Sequence, residues 1–167
     1  KILADVRAEL EDMRAYVEVG SGEIEESQTE DVDWVNNWKQ YFHQFYIDDI
    51  LVIPSWEEVK PEDEGKMVVH IDPGTAFGTG KHETTQLCIR QIRKHVKEDT
   101  MILDVGCGSG ILGMIALMMG AKHSVGTDLD PCAIDATREN MEVNGISEDR
   151  YEVMIGNIID NKEVQDK

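Results

Sequence analysis

Residues 104–110 constrain the fold more than any other part of the chain, because they read DVGCGSG at the end of a short apolar run. The run at residues 101–105 is typical of a strand that is buried on both faces of a parallel sheet. Glycines let the backbone turn sharply after the strand and approach a ligand closely. An apolar helix from Ile111 to Met119 follows, and Gly120 ends it. The segment therefore predicts a strand, a ligand-binding loop and a helix.

A carboxylate at the end of the next predicted strand extends this pattern. Residues 123–127 form a weak second strand, and Asp128 follows it, 22 residues after Gly106. A carboxylate in this place accepts hydrogen bonds from ribose hydroxyls. The loop and Asp128 together predict a site for a nucleoside.

The same alternation continues towards the carboxyl end. Pro131, with Asp130 as its cap, begins a helix that Asn144 and Gly145 end. A third strand is predicted at residues 151–155, where large apolar side chains alternate. Strand, helix, strand, helix, strand predicts an α/β fold that contains half of a doubly wound sheet.

The amino-terminal half is predicted to be a helical arm followed by a small β element. In order, we expect a helix with one apolar stripe at 2–19, an acidic linker at 23–33, a short aromatic helix around 35–42, strands at 46–53 and 67–71, and a helix at 82–97. In the last helix, Cys88, Ile92 and Val96 recur at steps of four residues and predict its apolar face.

The charge of the chain restricts its partners. Acidic residues outnumber basic ones by 34 to 16, which gives a formal net charge of −18. This charge repels phosphate backbones and anionic lipid, so it argues against direct nucleic-acid and membrane binding and is compatible with a basic protein. Three widely spaced cysteines predict neither a disulfide framework nor a zinc site and favour the reducing cytoplasm. His82 and Glu83 do not complete H-E-x-x-H, because residue 86 is Gln, and no metal site is predicted.

Two nucleoside cofactors compete for the glycine loop. A dinucleotide fingerprint, G-x-G-x-x-G, would need a third glycine at residue 111, where the sequence has Ile. The pattern D-x-G-x-G-x-G at residues 104–110 instead resembles the first motif of class I S-adenosylmethionine methyltransferases.

Other segments sharpen this resemblance. They are D-P-G-x-A-F-G-T-G-x-H-x-T-T at 72–85, P-S-W-E-E at 54–58, D-W-x-x-x-x-K-Q-Y-F at 33–42 and G-T-D-L-D-P at 126–131. In order and spacing, residues 31–145 resemble the methyltransferases of large-subunit ribosomal protein L-eleven, the PrmA family. The motif at 72–85 is far more specific than the glycine loop.

The resemblance implies a Rossmann-like class I methyltransferase fold with S-adenosyl-L-methionine as the cofactor. It implies cofactor contacts from Thr85, Gly106, Gly108 and Asp128, and a loop over the cofactor formed by Phe77, Gly78, Thr79 and Gly80. The implied activity is N-methylation of lysine side chains and the N-terminal amine of ribosomal protein L-eleven, which is the expected partner in the cytoplasm.

The resemblance also bears on domain organisation. Residues 1–30 would be the remnant of an N-terminal substrate-recognition domain, and residues 31–167 a methyltransferase domain with an incomplete sheet. In the family, an Asn-Ile-Leu motif follows the fourth strand. Residues 157–159 read Asn-Ile-Ile but follow the third, so no catalytic residue is assigned. We therefore expect a cofactor-binding fragment with little activity.

The family's strand order predicts one more property. The fourth strand lies beside the first, so without it the first strand would leave an unpaired apolar edge. Self-association through this edge, local disorder or a rearrangement of the carboxyl-terminal part is therefore expected. Two other functions stay open, a noncatalytic acidic module that binds a basic protein and, third, an NAD-dependent oxidoreductase.

Overall fold

The computed structural model describes residues 2–25, 41–72 and 78–167. The chain divides into two compact units, residues 1–34 and 35–167. The first contains helix α1 (Ile2–Met13), none of whose residues is buried. The prediction of a helix to residue 19 is wrong, because the backbone tightens after Met13 and Tyr16 N donates to the Met13 carbonyl over 2.9 Å. The predicted aromatic helix around 35–42 lies almost wholly outside the described residues.

A small three-stranded sheet opens the second unit. Its strands are β1 (Phe45–Ile47), β2 (Ile50–Ile53) and β3 (Met67–His70), in that order. β1 and β2 are antiparallel, whereas β2 and β3 are parallel. The prediction of a single strand at 46–53 is wrong because Asp48 has a φ of 56° and turns the chain. Aspartate tolerates this left-handed conformation better than most residues do.

The larger sheet has three parallel strands in the order β4-β5-β6. The elements that form this part of the unit are α2 (Glu83–His95), β4 (Met101–Val105), α3 (Ile111–Met118), β5 (His123–Asp128), α4 (Pro131–Val143), β6 (Tyr151–Ile155) and α5 (Lys162–Gln165). Asp104 lies opposite Gly126, which lies opposite Val153. The predicted α/β class, with half of a doubly wound sheet after a small β element, is confirmed.

The helix boundaries follow the predicted capping signals. Asp130 Oδ1 accepts a hydrogen bond from Cys132 N over 2.9 Å, and Pro131 is the first residue of α4. Gly145, with a φ of 64°, follows the end of the same helix. α2 begins after His82, whose Nδ1 accepts from Thr84 N over 3.3 Å.

Two predictions of burial are wrong. Met101, Leu103 and Val105 of β4 are 59%, 43% and 53% exposed, because among the described residues β4 pairs with β5 alone and this face of the strand has no full cover. In α2, Cys88 is exposed and the buried residues are Thr85 and Ile89. Ile92 and Val96 do pack against the core, so the predicted apolar face of α2 is wrong only at Cys88.

One apolar core joins the two sheets. It contains Ile47, Ile50, Val52 and Val69 of the small sheet, Ile89 of α2, Ile111, Met114 and Ile115 of α3, and Tyr151 of β6. This core fixes the small sheet beside the loop between β4 and α3. In the part of the chain that the structure describes, no helix has the length and apolar character needed to cross a membrane.

Candidate functional site

The loop between β4 and α3 alternates left-handed glycines with other residues. Gly106, Gly108 and Gly110 have φ values of 78°, 55° and 78°, a region that L side chains adopt at a cost. Residue 110 must also lack a side chain because of packing, since a Cβ there would lie 2.5 Å from Thr137 Cγ2. The three glycines turn the chain from the end of β4 into α3.

The loop is held from β5 and α4. Gly106 N and Cys107 N both donate to the Thr127 carbonyl, over 2.7 and 3.0 Å. The Gly108 carbonyl accepts from Thr137 Oγ1 over 2.9 Å. These bonds fix the loop backbone through groups of the protein alone.

Asp128 lies at the end of β5 and bonds the same loop. Its Oδ2 accepts from Gly108 N over 2.9 Å, and its Oδ1 accepts from Asp130 N over 3.1 Å. Each carboxylate oxygen has two lone pairs, so each retains capacity for a further donor. Asp128 is half-buried and therefore accessible to a ligand at the end of the strand.

A second glycine segment lies against the first. Ser109 Oγ donates to the Gly78 carbonyl over 2.6 Å. Gly78 and Gly80 have φ values of 117° and 84°, and a Cβ at these positions would lie 2.7 Å from Ser109 Oγ and 2.8 Å from Ile111 Cδ1, respectively. The sequence needs glycine at both positions because the two segments approach so closely.

The Asp104 carboxyl at the end of β4 and the Cys107 thiol in the loop are both buried titratable groups. Burial raises the pKa of the Asp104 carboxyl, although Gly113 N donates to its Oδ2 over 3.3 Å. Burial also raises the pKa of the Cys107 thiol to about 11, so this thiol stays protonated at neutral pH. It lacks the thiolate character of a nucleophile. Within the described residues, no group of three or more His, Cys, Asp or Glu is arranged to hold a metal ion.

Comparison with known proteins assigns the chain to a family. Residues 3–166 match the family model described as ribosomal protein L11 methyltransferase (PrmA). The chain belongs to the PrmA family. Ribosomal protein L11 methyltransferases of Lachnospira eligens and Agathobacter rectalis are each 56% identical to it, over 165 and 169 residues. Both alignments cover 99% of this chain and 52% of the relative, so the chain spans about half the length of these curated relatives.

A solved structure supports the assignment to the PrmA family. It is a crystal structure of a ribosomal protein L11 methylase from Lactobacillus delbrueckii subsp. bulgaricus, 31% identical in sequence, with a TM-score of 0.61. The similarity covers 72% of this chain and 62% of that chain. The resemblance that the motifs predicted is confirmed at the level of sequence and fold.

The structure places the residues implied by the PrmA resemblance as follows. Gly106, Gly108 and Asp128 belong to one hydrogen-bonded network, and residues 78–80 meet it through Ser109. Phe77 lies outside the described residues. Thr85 is buried in the first turn of α2, and its hydroxyl makes no hydrogen bond to the part of the chain that is described. Contact of these residues with a cofactor stays a prediction.

Sequence reasoning missed three polar residues that hold the site together. Ser109 bonds the second glycine segment, Thr137 bonds the Gly108 carbonyl, and Asn140 Nδ2 donates to the Ser109 carbonyl over 3.0 Å. All three are buried. The available signal was the position of Thr137 and Asn140, three residues apart on the face of α4 that also carries buried Ala136 and Met141.

Proposed function

We propose that the loop at residues 104–110 and Asp128 bind S-adenosyl-L-methionine, and that the whole protein transfers its methyl group to amino groups of ribosomal protein L11. Membership of the PrmA family supports the proposal. The structural observation that carries it is the open side of Gly106. This residue has a φ of 78°, and a Cβ built on it would meet, apart from its chain neighbours, no atom of residues 2–25, 41–72 or 78–167 within 4 Å.

Gly106 and Gly110 have the same φ but opposite surroundings. A Cβ at Gly110 would collide with Thr137, whereas one at Gly106 would approach no described residue other than its chain neighbours. The loop is therefore packed at Gly110 and open at Gly106, and Gly106 lies near the end of β5, because its N donates to the carbonyl of Thr127, the residue before Asp128. A bare backbone next to an available carboxylate fits a nucleoside whose ribose hydroxyls donate hydrogen bonds.

The same geometry argues against a dinucleotide. The third glycine of the dinucleotide fingerprint lets a helix pack closely behind the loop. Residue 111 is Ile, 2% exposed, and its Cδ1 fills the space that glycine would leave open beside Gly80. The NAD-dependent oxidoreductase is therefore the less favoured function.

Each residue has a defined role in the proposed complex. The bound cofactor supplies a methyl group on a sulfonium, which is already activated for displacement. Asp128 would accept from the ribose hydroxyls, Gly106 and Gly108 would allow close approach, and the Thr85 hydroxyl would meet the amino-acid end. Residues 78–80 would cover the site together with Phe77. Positioning is the main contribution of these residues, because none of them is assigned an acid or base role.

The proposed substrate fits the charge of the chain. A lysine ammonium, with a reference pKa of about 10.4, must lose a proton before its nitrogen attacks the methyl group. The formal charge of −18 attracts a basic ribosomal protein and repels nucleic acid and anionic lipid. We place the reaction in the cytoplasm, which the three free cysteines also favour.

The test compares two glycines by titration calorimetry with S-adenosylhomocysteine. Gly65 has a φ of 85°, and its Cβ position, like that of Gly106, has no neighbour within 4 Å among the described residues beyond the adjacent ones in the chain. Gly106→Ala and Gly65→Ala should therefore lower the thermal midpoint similarly. Only Gly106→Ala should weaken binding, by about tenfold or more, because its methyl group enters the ligand space.

Three results would contradict the proposal. They are binding to Gly106→Ala that equals binding to the unaltered chain, an equal loss in Gly65→Ala, and binding of NAD in place of S-adenosylhomocysteine. Binding of neither compound by the unaltered chain would favour the noncatalytic acidic module.

A further inference from the structure

Asn140 of α4 and Asn144, the residue that caps the carboxyl end of this helix, each bond the backbone of β3 or of the residues that follow it. Asn144 Oδ1 accepts from His70 N over 2.9 Å, and its Nδ2 donates to the His70 carbonyl over 2.7 Å. Asn140 Oδ1 accepts from Asp72 N over 2.8 Å. The two amides thus continue, from a helix, the pairing that a neighbouring strand would give to this edge.

Asn140 differs from Asn144 in its second bond. Its Nδ2 donates to the Ser109 carbonyl over 3.0 Å, in the glycine loop of the proposed cofactor site. Asn140 is 1% exposed and Ser109 is 0% exposed, so water has no ready access to replace this bond. One buried amide therefore joins the loop to the segment that begins at Asp72.

Ser109 connects to the same segment a second time. Its hydroxyl donates to the Gly78 carbonyl, so Asp72 and Gly78 are both tied to one residue, Gly78 directly and Asp72 through Asn140. The Asp72 carboxylate is itself fixed, because it accepts from Ser55 N over 2.8 Å and from the Ser55 hydroxyl. Asn140 is thus the link between the glycine loop and an anchored part of the small sheet.

We propose that Asn140 is a positioning residue of the cofactor site, which sets the glycine loop against Asp72. The inference rests on the proposed function only where it concerns cofactor affinity. Without the Asn140 amide, a half-buried donor at Asp72 and a buried acceptor at Ser109 lose their partners, and the loss at Ser109 is costly unless the backbone moves. Movement of Ser109 displaces Gly106 and Gly108, because they belong to the same short loop.

The experiment compares Asn140→Ala with Asn144→Ala. Both variants remove an amide that bonds the same edge, but only the first removes a bond to the glycine loop. Amide hydrogen exchange is measured without ligand over residues 104–112 and 70–72, and calorimetry measures binding of S-adenosylhomocysteine. Asn140→Ala should speed exchange in the loop and weaken binding by about tenfold, whereas Asn144→Ala should keep affinity within about twofold.

Asn140→Asp distinguishes the effects of the two hydrogen bonds that the Asn140 side chain makes. It keeps an oxygen that accepts from Asp72 N but loses the donor to the Ser109 carbonyl. Exchange at Asp72 should stay slow in this variant, while exchange in the glycine loop increases. If neither Asn140 variant folds, exchange in the unaltered chain decides, because the inference requires Asp72 N to be protected together with the loop.

Several outcomes would overturn the inference. The first is that Asn140→Ala changes neither hydrogen exchange in the glycine loop nor the affinity for S-adenosylhomocysteine. The second is that Asn144→Ala loses as much affinity as Asn140→Ala. The third is rapid exchange of the Asp72 amide in the unaltered chain. If the unaltered chain does not bind S-adenosylhomocysteine, the proposed function fails, and the exchange data alone still test the role of Asn140.

Discussion

The hydroxyl of Tyr151 lies 3.5 Å from Oδ2 of Asp104, although β5 separates their strands. The ring crosses β5 at Gly126 and passes close to Gly113 of α3. A Cβ at Gly126 or Gly113 would lie 2.9 or 2.5 Å, respectively, from the Tyr151 hydroxyl oxygen. Glycine at these two positions leaves the space through which Tyr151 of β6 reaches the base of the glycine loop.

Gly113→Ala should therefore destabilise the protein. Alanine in a helix interior is favoured over glycine by about 1 kcal/mol, whereas overpacking a core costs about 1–3 kcal/mol. The cost of overpacking should exceed the gain in helix propensity, because the new Cβ would lie 2.5 Å from Tyr151 Cζ and Tyr151 is 0% exposed. Urea denaturation should show a net loss of about 1–2 kcal/mol.

A double-mutant cycle tests the cause of this loss. In the background of Tyr151→Leu, which removes the ring, Gly113→Ala should cost less or become stabilising. Equal effects in both backgrounds would show that the ring is not what excludes a side chain at residue 113.

Asp104→Asn should change the pH dependence of stability. Burial raises the pKa of Asp104 in the folded protein above its unfolded value, so folding favours the protonated form. The stability from this group is present at low pH and is lost as pH rises through the raised pKa. Asparagine does not titrate, so the unaltered protein should lose stability relative to Asp104→Asn as pH rises from about 4.

The difference between the two proteins isolates Asp104 from the other acidic residues. Urea denaturation of both at several pH values gives this difference directly. A constant difference, or one that grows in favour of the unaltered protein towards neutral pH, would contradict the burial effect.

The elements that the sequence predicted well are those fixed by local chemistry. Asp130 and Pro131 begin α4, the glycines at 106, 108 and 110 follow β4, and an apolar run forms α3. Each depends on residues that are neighbours in the chain, on backbone angles or on a cap. Alternation of strands and helices then sufficed for the fold class.

What the sequence did not predict depends on distant partners. β4 is as apolar as a doubly buried strand, yet its exposure depends on which strands and helices lie beside it. The roles of Asn140 and Asn144 depend on residues 31 to 74 positions away. The turn at Asp48 was not predicted for another reason. The Asp-Asp pair there is a weaker turn signal than Asn-Gly or Asp-Gly.

Asp63 gives a pH dependence of the opposite sign. It is 0% exposed, and its carboxylate accepts from Lys66 Nζ over 2.6 Å and from the Tyr46 hydroxyl over 2.8 Å. These donors, Lys66 first, lower the pKa of Asp63 in the folded protein. The stability from this group is therefore present above the unfolded pKa of about 3.9 and is lost as pH falls through the lowered one.

Asp63→Asn should lower the thermal midpoint at neutral pH, because the neutral amide loses the negative charge that pairs with Lys66 and one of the two oxygens that accept hydrogen bonds. The deficit should shrink as the solution is acidified below about pH 4, since the unaltered carboxylate is then being protonated as well. Scanning calorimetry of both proteins measures the deficit. If the deficit in the thermal midpoint stays the same at acid pH, the charge of the Asp63 carboxylate is not its cause.

The exposed side of β4 should make this chain self-associate with a second copy. Met101, Leu103 and Val105 form an apolar face, and a groove of about 470 Å³ between β4 and α2 adds Leu87 and Ile92. An unpaired apolar strand edge is a template for another copy. The charge of −18 on each copy opposes association, so added salt should strengthen it by screening the repulsion.

Leu103→Lys should weaken this association by about tenfold or more, because it buries a charge in the contact. Val143→Lys is the matched control, since Val143 of α4 is 47% exposed and Leu103 is 43% exposed. Sedimentation velocity over a range of protein and salt concentrations measures the dissociation constant. The β4 face is not the contact if the two lysine variants behave alike, and a chain that stays monomeric at high salt does not self-associate at all.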